Sequence, residues 1–248
     1  MTGFDMAGID APLQAAIDAA LAGPYCRVTG IDLQDGRKVW LKRAEQLSGR
    51  MRLQKGNGAR AFARERDGLL LLDDLGLPVP PVLAMGDDWF ITPDLGPTLR
   101  HLLWTTTDTA TLTPIFTAAG TALANLHLHS YRHGRPAIRD ICWDGNAVHF
   151  IDLERFSTVK SDPRGLALDL MVFVHSLMGD GLRAPQTAPA LQEAAITAYR
   201  ALAPGIWAQA RVTAGWLGWL PPLARLAKGS RDWAALAPTL ARFRSDRE

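Results

Sequence analysis

Charged residues at a few points along this 248-residue chain could bind a phosphate group together with a metal ion. The first is Lys42, at the end of the β-prone segment Val39-Trp40-Leu41-Lys42. Because side chains alternate along a strand, Trp40 and Lys42 are expected on the same face. An ammonium group in that position can hold a phosphate as a point charge. Most lysines on strands are simply solvated, so Lys42 alone does not predict a phosphate site.

Glu65 lies in the next predicted helix, within the segment Ala63-Arg64-Glu65-Arg66. If its carboxylate faces the sheet, an ion pair with Lys42 would fix the direction of the ammonium group. The alternative is an ordinary surface glutamate that interacts with charges one helical turn away.

Two aspartates flank a predicted β-hairpin in the second half of the chain. Asp152 ends its second strand, and Asp140 comes just before its first strand. Carboxylates are natural ligands of Mg²⁺, and metal ions held by such a pair can bridge phosphate oxygens. Asp152 could instead start a turn or act as a cap, so the prediction of a metal site depends on the combination of the two aspartates.

Hydrophobic periodicity and turn residues predict the elements that carry these residues. Predicted helices are residues 11–22, 59–75 and 109–129, with mostly helical chain from Leu166 onward. Predicted strands are Arg27–Leu33, Arg37–Lys42, Val82–Met85, Trp89–Thr92, Ile141–Trp143 and Val148–Asp152. A strand-rich part thus precedes a helix-rich part, with a seam near residues 93–97. We expect an α+β fold of two lobes, residues 1–95 and residues 96–248, with a cleft between them.

Composition and charge limit the class of protein. Hydrophobic residues make up 48% and charged residues 21%, values typical of a globular domain. The formal charge of +2 gives no support for nucleic-acid binding. Cys26 and Cys142 are predicted to be free thiols. We expect a cytoplasmic protein, because neither a signal peptide nor an apolar run long enough to cross a bilayer is visible. We also expect a monomer.

The order of these features resembles the protein-kinase-like superfamily: strand lysine, helical glutamate, hinge, long helix, loop, hairpin and acidic strand end. Within it the chain looks like small bacterial members, the aminoglycoside phosphotransferases and the Kdo and lipopolysaccharide-core sugar kinases. The resemblance covers roughly residues 25–180 and rests on the stretches ERDGLLLLDDLGLPVPPVL, DLGPTLRHLL, LHLHSYRHG and FIDLERF. The stretch around Asp169 resembles the core helix of that group.

The resemblance implies that ATP and Mg²⁺ bind in the cleft and that the γ-phosphoryl group moves to a hydroxyl acceptor. Lys42 would contact phosphates, Glu65 would orient Lys42, and Asp152 and Asp140 would hold metal. The hinge residues expected to meet adenine are Thr92, Asp94 and Leu95. Residues 22–36 contain no G-x-G-x-x-G loop, so Lys42 and backbone N–H groups would hold the phosphates.

The catalytic loop departs from the superfamily's pattern H-R/G-D-x-x-x-x-N, in which Asp serves the acceptor hydroxyl and Asn binds metal. In a first register, His133-Gly134 begin the loop, Arg135 takes the place of the catalytic Asp, and Asp140 takes the place of the Asn. This register needs no gap before Asp152, and we favour it. Arg135 could not be a base, since arginine stays protonated in proteins.

In a second register, Arg139-Asp140 form the R-D pair and Asp140 is the catalytic acid/base. The position of the metal-binding Asn then falls on Gly145, inside the hairpin turn. The second register therefore loses a metal ligand.

Three functions remain open on the sequence. The first is an active ATP-dependent kinase or phosphotransferase, which the presence of Lys42, Glu65 and Asp152 favours. The second is a pseudokinase, a nucleotide-binding or interaction module without turnover, which Arg135 favours. The third is an unrelated α+β protein whose motifs match by chance.

The acceptor is not specified by these motifs. A lipopolysaccharide-type sugar, an antibiotic, a metabolite and a protein side chain all remain candidates. A basic run consists of Arg50, Arg52, Lys55, Arg60, Arg64 and Arg66. These residues either form a solvated face or bind an anionic acceptor such as a phosphorylated glycolipid. Residues 215–226 are rich in Trp and Leu, and we expect core packing there, with peripheral membrane contact as the alternative.

Overall fold

The computed structural model describes residues 9–45, 57–219 and 230–244. The helices are α1 (Ala11–Ala22), α2 (Asn57–Asp74), α3 (Leu99–Thr105), α4 (Thr109–Leu128), α5 (Pro163–Gly181), α6 (Ala188–Leu202), α7 (Pro204–Trp216) and α8 (Arg231–Arg244). The strands are β1 (Val28–Asp32), β2 (Lys38–Arg43), β3 (Ala84–Met85), β4 (Trp89–Pro93), β5 (Ile141–Trp143) and β6 (Val148–Phe150). Short 3-10 turns cover Ile138–Asp140 and Leu217–Trp219.

An antiparallel sheet with the strand order β1-β2-β4-β3 forms the N-lobe. The β1–β2 hairpin turns at Gly36, whose φ of 84° suits a residue without a Cβ. Alternation gives β2 two different faces. Val39 and Leu41 are buried in the core that includes α1, whereas Trp40 and Lys42 line a cavity. The predicted common face of Trp40 and Lys42 is thus present.

Helix α2 connects the sheet to the helical lobe. Phe62, Leu69 and Leu72 are buried in the same core cluster as the helical lobe. Glu65 falls on this face of α2, because residues three or four positions apart are neighbours on a helix. Only 4% of Glu65 is exposed. The helix period therefore places a carboxylate where it needs a cation as partner.

Helix packing builds the C-lobe around α4 and α5. Helix α4 packs along α6, and α5 packs against α7 and α8. The 3-10 turn Ile138–Asp140 contacts both α3 and α5, and β5 and β6 form a hairpin directly after it. This packing fixes the base of the loop at residues 133–140. Within the described part of the chain, no helix combines the length and the apolar character needed to cross a membrane.

The predicted α+β fold, with a strand-rich N-lobe and a helical C-lobe, is confirmed. Cys26 and Cys142 are unpaired, as predicted. The expectation that Asp152 ends a strand is wrong: β6 stops at Phe150, and Asp152 has a φ of 63°, far from extended backbone. Helix α3, capped by Thr98, was not among the predicted elements. Arg50, Arg52, Lys55 and residues 220–226 lie outside the described residues.

Candidate active site

A cavity of about 610 Å³ is lined by both lobes. Its charged lining residues are Arg27, Lys42, Glu65, Asp94, Arg135, Asp152 and Glu154. Among the residues predicted for the site, Asp140 does not line the cavity; it lies next to Arg135, which does. The structure therefore brings residues from β2, α2, the end of β4 and the loop regions into one place.

Lys42 and Glu65 form an ion pair through Nζ and Oε2. Both side chains are largely buried, with 15% and 5% exposed. Burial raises the pKa of Glu65, and the neighbouring ammonium of Lys42 opposes that rise. Because the pair is shielded from water, it fixes the ammonium group far more firmly than a surface ion pair would.

Glu154 is a charged residue of the cavity to which the sequence analysis gave no role. Its Oε1 lies 3.3 Å from Nζ of Lys42, and the same oxygen accepts a hydrogen bond from Arg27. Arg27 precedes β1, so this ion pair joins the first strand of the sheet to the segment after β6. The signal in the sequence was the spacing of Glu154 two positions after Asp152.

The loop is held at its base by Asp169 of α5. Its Oδ2 accepts a hydrogen bond from His133 N and its Oδ1 accepts one from Gly134 N, both at 2.8 Å. Oδ2 also lies 3.2 Å from Nε2 of His127. Gly134 has a φ of 93°, and a Cβ there would come within 2.6 Å of the backbone oxygen of Arg155. Asp169 thus satisfies buried N–H groups of a tight bend, a role that the sequence analysis did not assign.

His133 connects this loop to the segment that carries Asp152. Its Nε2 lies 2.9 Å from the carbonyl oxygen of Ile151. Burial lowers the pKa of His133, so the neutral imidazole is favoured. A neutral ring with Nε2 protonated would donate to that carbonyl and so hold the residue just before Asp152.

Arg135 points into the cavity and binds Asp152. Its NH2 group donates to Oδ2 of Asp152 at 2.6 Å. The other carboxylate oxygen of Asp152 is 3.8 Å from Nζ of Lys42. Asp152 has a left-handed backbone, which few residues other than glycine, Asn and Asp adopt. Asp152 therefore lies between two cations, one from each lobe.

Asp140 is a buried carboxylate with an incomplete set of partners. Its Oδ2 is 3.6 Å from Nε of Arg135 and 3.5 Å from Nε of Arg139, within ion-pair distance. Among the described residues, however, this oxygen has no hydrogen-bond partner. Burial raises the pKa of Asp140, the charge of Asp152 adds to that rise, and the two arginines oppose it. An unsatisfied buried oxygen of this kind is a candidate ligand atom.

The three predicted hinge residues, Thr92, Asp94 and Leu95, all line the cavity. Asp94 is fixed on both sides: its N–H donates to Lys38 O at 2.9 Å, and its Oδ1 accepts from Trp40 Nε1 at 3.0 Å. Trp40 thus belongs to the cavity wall.

The acidic residues fit a hard cation. Glu65, Asp152 and Glu154 have ligand atoms within 4.8 Å of one another. Lys42 already compensates Glu65 and lies beside Glu154. Asp152 and Asp140 remain as the oxygen donors that Mg²⁺ prefers, one in the cavity and one with an unsatisfied oxygen.

Comparison with known proteins supports this arrangement at the level of the fold. No protein-family model matches the chain. The solved structure of an aminoglycoside-3'-phosphotransferase of type VIII superimposes with a TM-score of 0.53 at 15% identity, covering 94% of this chain and 100% of that one. A second structure, the bifunctional kinase-methyltransferase WbdD, gives a TM-score of 0.46 at 15% identity, covering 70% of this chain and 43% of that one. The first superposition shows that the chain has a protein-kinase-like fold.

A curated relative from Haemophilus influenzae, described as an uncharacterized protein, is 35% identical over 144 residues. The match covers 58% of this chain and 60% of that relative, so it spans less than two thirds of either protein.

Proposed function

We propose that this protein is an ATP-dependent phosphotransferase that moves the γ-phosphoryl group to a hydroxyl acceptor. The observation that supports this most strongly is the buried Lys42–Glu65 ion pair in a cavity that Asp152 also lines. A lysine fixed by a helical glutamate, beside a carboxylate, is the arrangement that kinase-like enzymes use to hold phosphates.

Each polar group of the N-lobe has a part in this proposal. Lys42 neutralises phosphate oxygens, and Glu65 keeps the ammonium group in place. Removing Lys42 would leave a buried carboxylate without its cation, which is costly. The hinge at Thr92, Asp94 and Leu95 supplies the adenine contact.

Asp152 and Asp140 are the residues proposed to hold Mg²⁺. When bound, Mg²⁺ neutralises charge on phosphate oxygens and orients them. Asp152 has Oδ2 engaged by Arg135, so metal binding at that oxygen requires the arginine to move. Asp140 needs no such release, since its Oδ2 has no hydrogen bond among the described residues.

Arg135 acts in this proposal as a fixed positive charge and not as a base. Its planar guanidinium can contact the γ-phosphate, or an anionic group of the acceptor, through two parallel hydrogen bonds. It would stabilise charge on the transferring group, as an arginine finger does. Loss of a general base typically costs ~10²–10⁴-fold in rate, so transfer by positioning and electrostatics can continue without one.

The Arg135–Asp152 hydrogen bond also favours a second candidate, a pseudokinase that binds nucleotide without turnover. In that case the guanidinium group permanently binds the carboxylate that a metal ion would need.

The acceptor of the active enzyme would be a sugar hydroxyl of the lipopolysaccharide type. The sequence resemblance suggests this as the first compound class to test.

The test combines nucleotide binding with turnover. Saturating Mg-ATP, at one hundred times its dissociation constant, should stabilise the protein by roughly 2.7 kcal/mol in thermal unfolding. Asp152→Asn should reduce this stabilisation, whereas Asp87→Asn, at an exposed turn, should not. No shift of the unfolding midpoint by ATP, with or without Mg²⁺, would contradict the assignment of the cavity.

ATP turnover is then measured with and without a cell-envelope glycolipid extract. Acceptor-dependent turnover in the parent protein supports the enzyme. Nucleotide binding without turnover, with activity gained in Arg135→Asp, would establish the pseudokinase.

A further inference from the structure

Three arginines surround one tryptophan on the C-lobe. The guanidinium carbons of Arg183, Arg100 and Arg231 lie 4.6, 5.2 and 5.6 Å from the centre of the Trp104 ring. Arg183 lies in the segment after α5, Arg100 lies in α3, and Arg231 is the first residue of α8. Packing against one ring holds three positive charges close together, although like charges repel one another.

One carboxylate lies inside this cluster. Asp180, near the end of α5, pairs with NH1 of Arg231 at 2.9 Å, and its carbonyl oxygen accepts from Trp104 Nε1 at 3.1 Å. Burial raises the pKa of Asp180, while Arg100, Arg231 and Arg139 oppose that rise. Within residues 9–45, 57–219 and 230–244, neither Arg100 nor Arg183 forms an ion pair, so positive charge exceeds negative charge here.

Arg139 connects the cluster to the active-site loop. It belongs to the 3-10 turn before β5, which packs against α3 and α5. Its Nε lies 3.5 Å from Oδ2 of Asp140, and its charge also acts on Asp180. Arg139 therefore lies between Arg135, with which it shares Asp140 as a neighbour, and the arginine cluster around Trp104.

We propose that Arg100, Arg183 and Arg231 form a binding site for a phosphate group, separate from the nucleotide cavity. A guanidinium held against an aromatic ring is already ordered and has five N–H donors, so binding costs it little entropy. A phosphoryl group fits this cluster better than a carboxylate, since its tetrahedral oxygens and higher charge can serve several arginines at once.

This site has a consequence for the acceptor, and that part rests on the proposed phosphotransferase function. A molecule whose phosphate is bound at Trp104 extends toward Arg139 and the loop that carries Arg135. The acceptor would therefore be a phosphorylated compound whose hydroxyl lies some distance from its own phosphate. A polycationic acceptor would be repelled by the same groups.

The experiment measures binding of inorganic pyrophosphate to the full chain by calorimetry at constant ionic strength. Variants are Arg100→Gln/Arg183→Gln, the single Arg183→Gln, and Lys42→Met, which removes the ammonium group proposed to hold phosphate in the nucleotide cavity. Arg164→Gln is the matched control, because Arg164 is an exposed arginine at the opposite end of α5 from Asp180.

In Lys42→Met, where phosphate binding in the nucleotide cavity is weakened, we expect saturable binding to remain at the arginine cluster. This binding should persist when Arg164→Gln is added and weaken at least tenfold when Arg100→Gln and Arg183→Gln are added. Unchanged affinity in the double variant, an equal loss in Arg164→Gln, loss in Lys42→Met, or no saturable binding would each overturn the proposal. Circular dichroism verifies folding of every variant. If the double variant unfolds, the single Arg183→Gln decides, since this exposed side chain has a ring contact and forms no ion pair with the described residues. Pyrophosphate binding requires no turnover, so its outcome is independent of whether the protein is an active enzyme.

Discussion

Two cationic side chains of the cavity, Lys42 from the N-lobe and Arg135 from the loop, form different ion pairs. Lys42 pairs with Glu65, a carboxylate from α2 whose position in the helix leaves it no other described partner. Arg135 instead binds Asp152, the carboxylate proposed to hold metal. The N-lobe is therefore organised to receive phosphate, whereas the loop holds its own acid in an internal ion pair.

The comparison separates the framework of the loop from its tip. Asp169, His127 and His133 fix the bend of the loop by buried hydrogen bonds, independently of the residue at position 135. The arginine at the tip is only partly buried, with 34% of its side chain exposed. Because the bend is held independently of position 135, the residue at that position, and with it the chemistry, can change without loss of the fold.

The largest effect is expected for Lys42→Met. This substitution should lower ATP turnover by about 10²–10³-fold, the usual loss for one fixed charge-stabilising donor. If the protein has no turnover, the loss should appear in the affinity for Mg-ATP. Lys38→Met is the matched control, because Lys38 is on the same strand but rests over Trp40 and outside the Glu65 pair. Isothermal binding and steady-state kinetics measure both variants. Equal effects of the two substitutions would show that the loss comes from removing any positive charge on β2, and not from breaking the Lys42–Glu65 pair.

The framework of the loop is tested by Asp169→Ala. The substitution leaves the N–H groups of His133 and Gly134 without acceptors, and we expect a loss of about 3 kcal/mol in the free energy of unfolding. Asp162→Ala on the same helix removes only an N-cap and should cost about 1 kcal/mol. Urea unfolding compares the two. If Asp169→Ala is no worse than Asp162→Ala, the loop is not held from α5.

The sequence predicted the parts of the site that depend on one element at a time. Strand alternation placed Lys42, and helix period combined with chain order selected Glu65. The Arg135–Asp152 bond could not be predicted, because it depends on the left-handed backbone of Asp152, which ends β6 earlier than expected. Glu154 was overlooked for a similar reason: its partner Arg27 is more than a hundred positions away.

Arg135→Ala tests whether the loop arginine competes with metal. Freeing Oδ2 of Asp152 should lower the Mg²⁺ concentration that gives half-maximal stabilisation by ATP about tenfold, the size of one partly exposed charged hydrogen bond. Arg139→Ala is the control, since Arg139 approaches Asp140 and has no contact with Asp152 among the described residues. An unchanged or higher Mg²⁺ requirement in Arg135→Ala would exclude this competition.

The smallest effect, and the one that separates the two registers of the loop, is expected for Asp140→Asn. Burial raises the pKa of Asp140 above its ordinary value of 3.8, so the charged form destabilises the folded state. Stability from this group is complete below about pH 3.8 and is lost as the pH rises through the folded-state pKa. The Asn variant should therefore be more stable than the parent at pH 7, by about 1 kcal/mol, and this advantage should disappear on acidification.

Turnover of Asp140→Asn then decides the role of the carboxylate. A metal ligand can be replaced in part by the amide oxygen of Asn, so partial activity with a higher Mg²⁺ requirement is expected. A general base cannot be replaced by Asn, and its loss would lower the rate by ~10²–10⁴-fold with the Mg²⁺ requirement unchanged. The unfolding measurement on the same variant separates a fall in turnover from a loss of folded protein. A near-complete loss, with Arg135→Ala unaffected, would make Asp140 the catalytic acid/base and Arg135 a bystander.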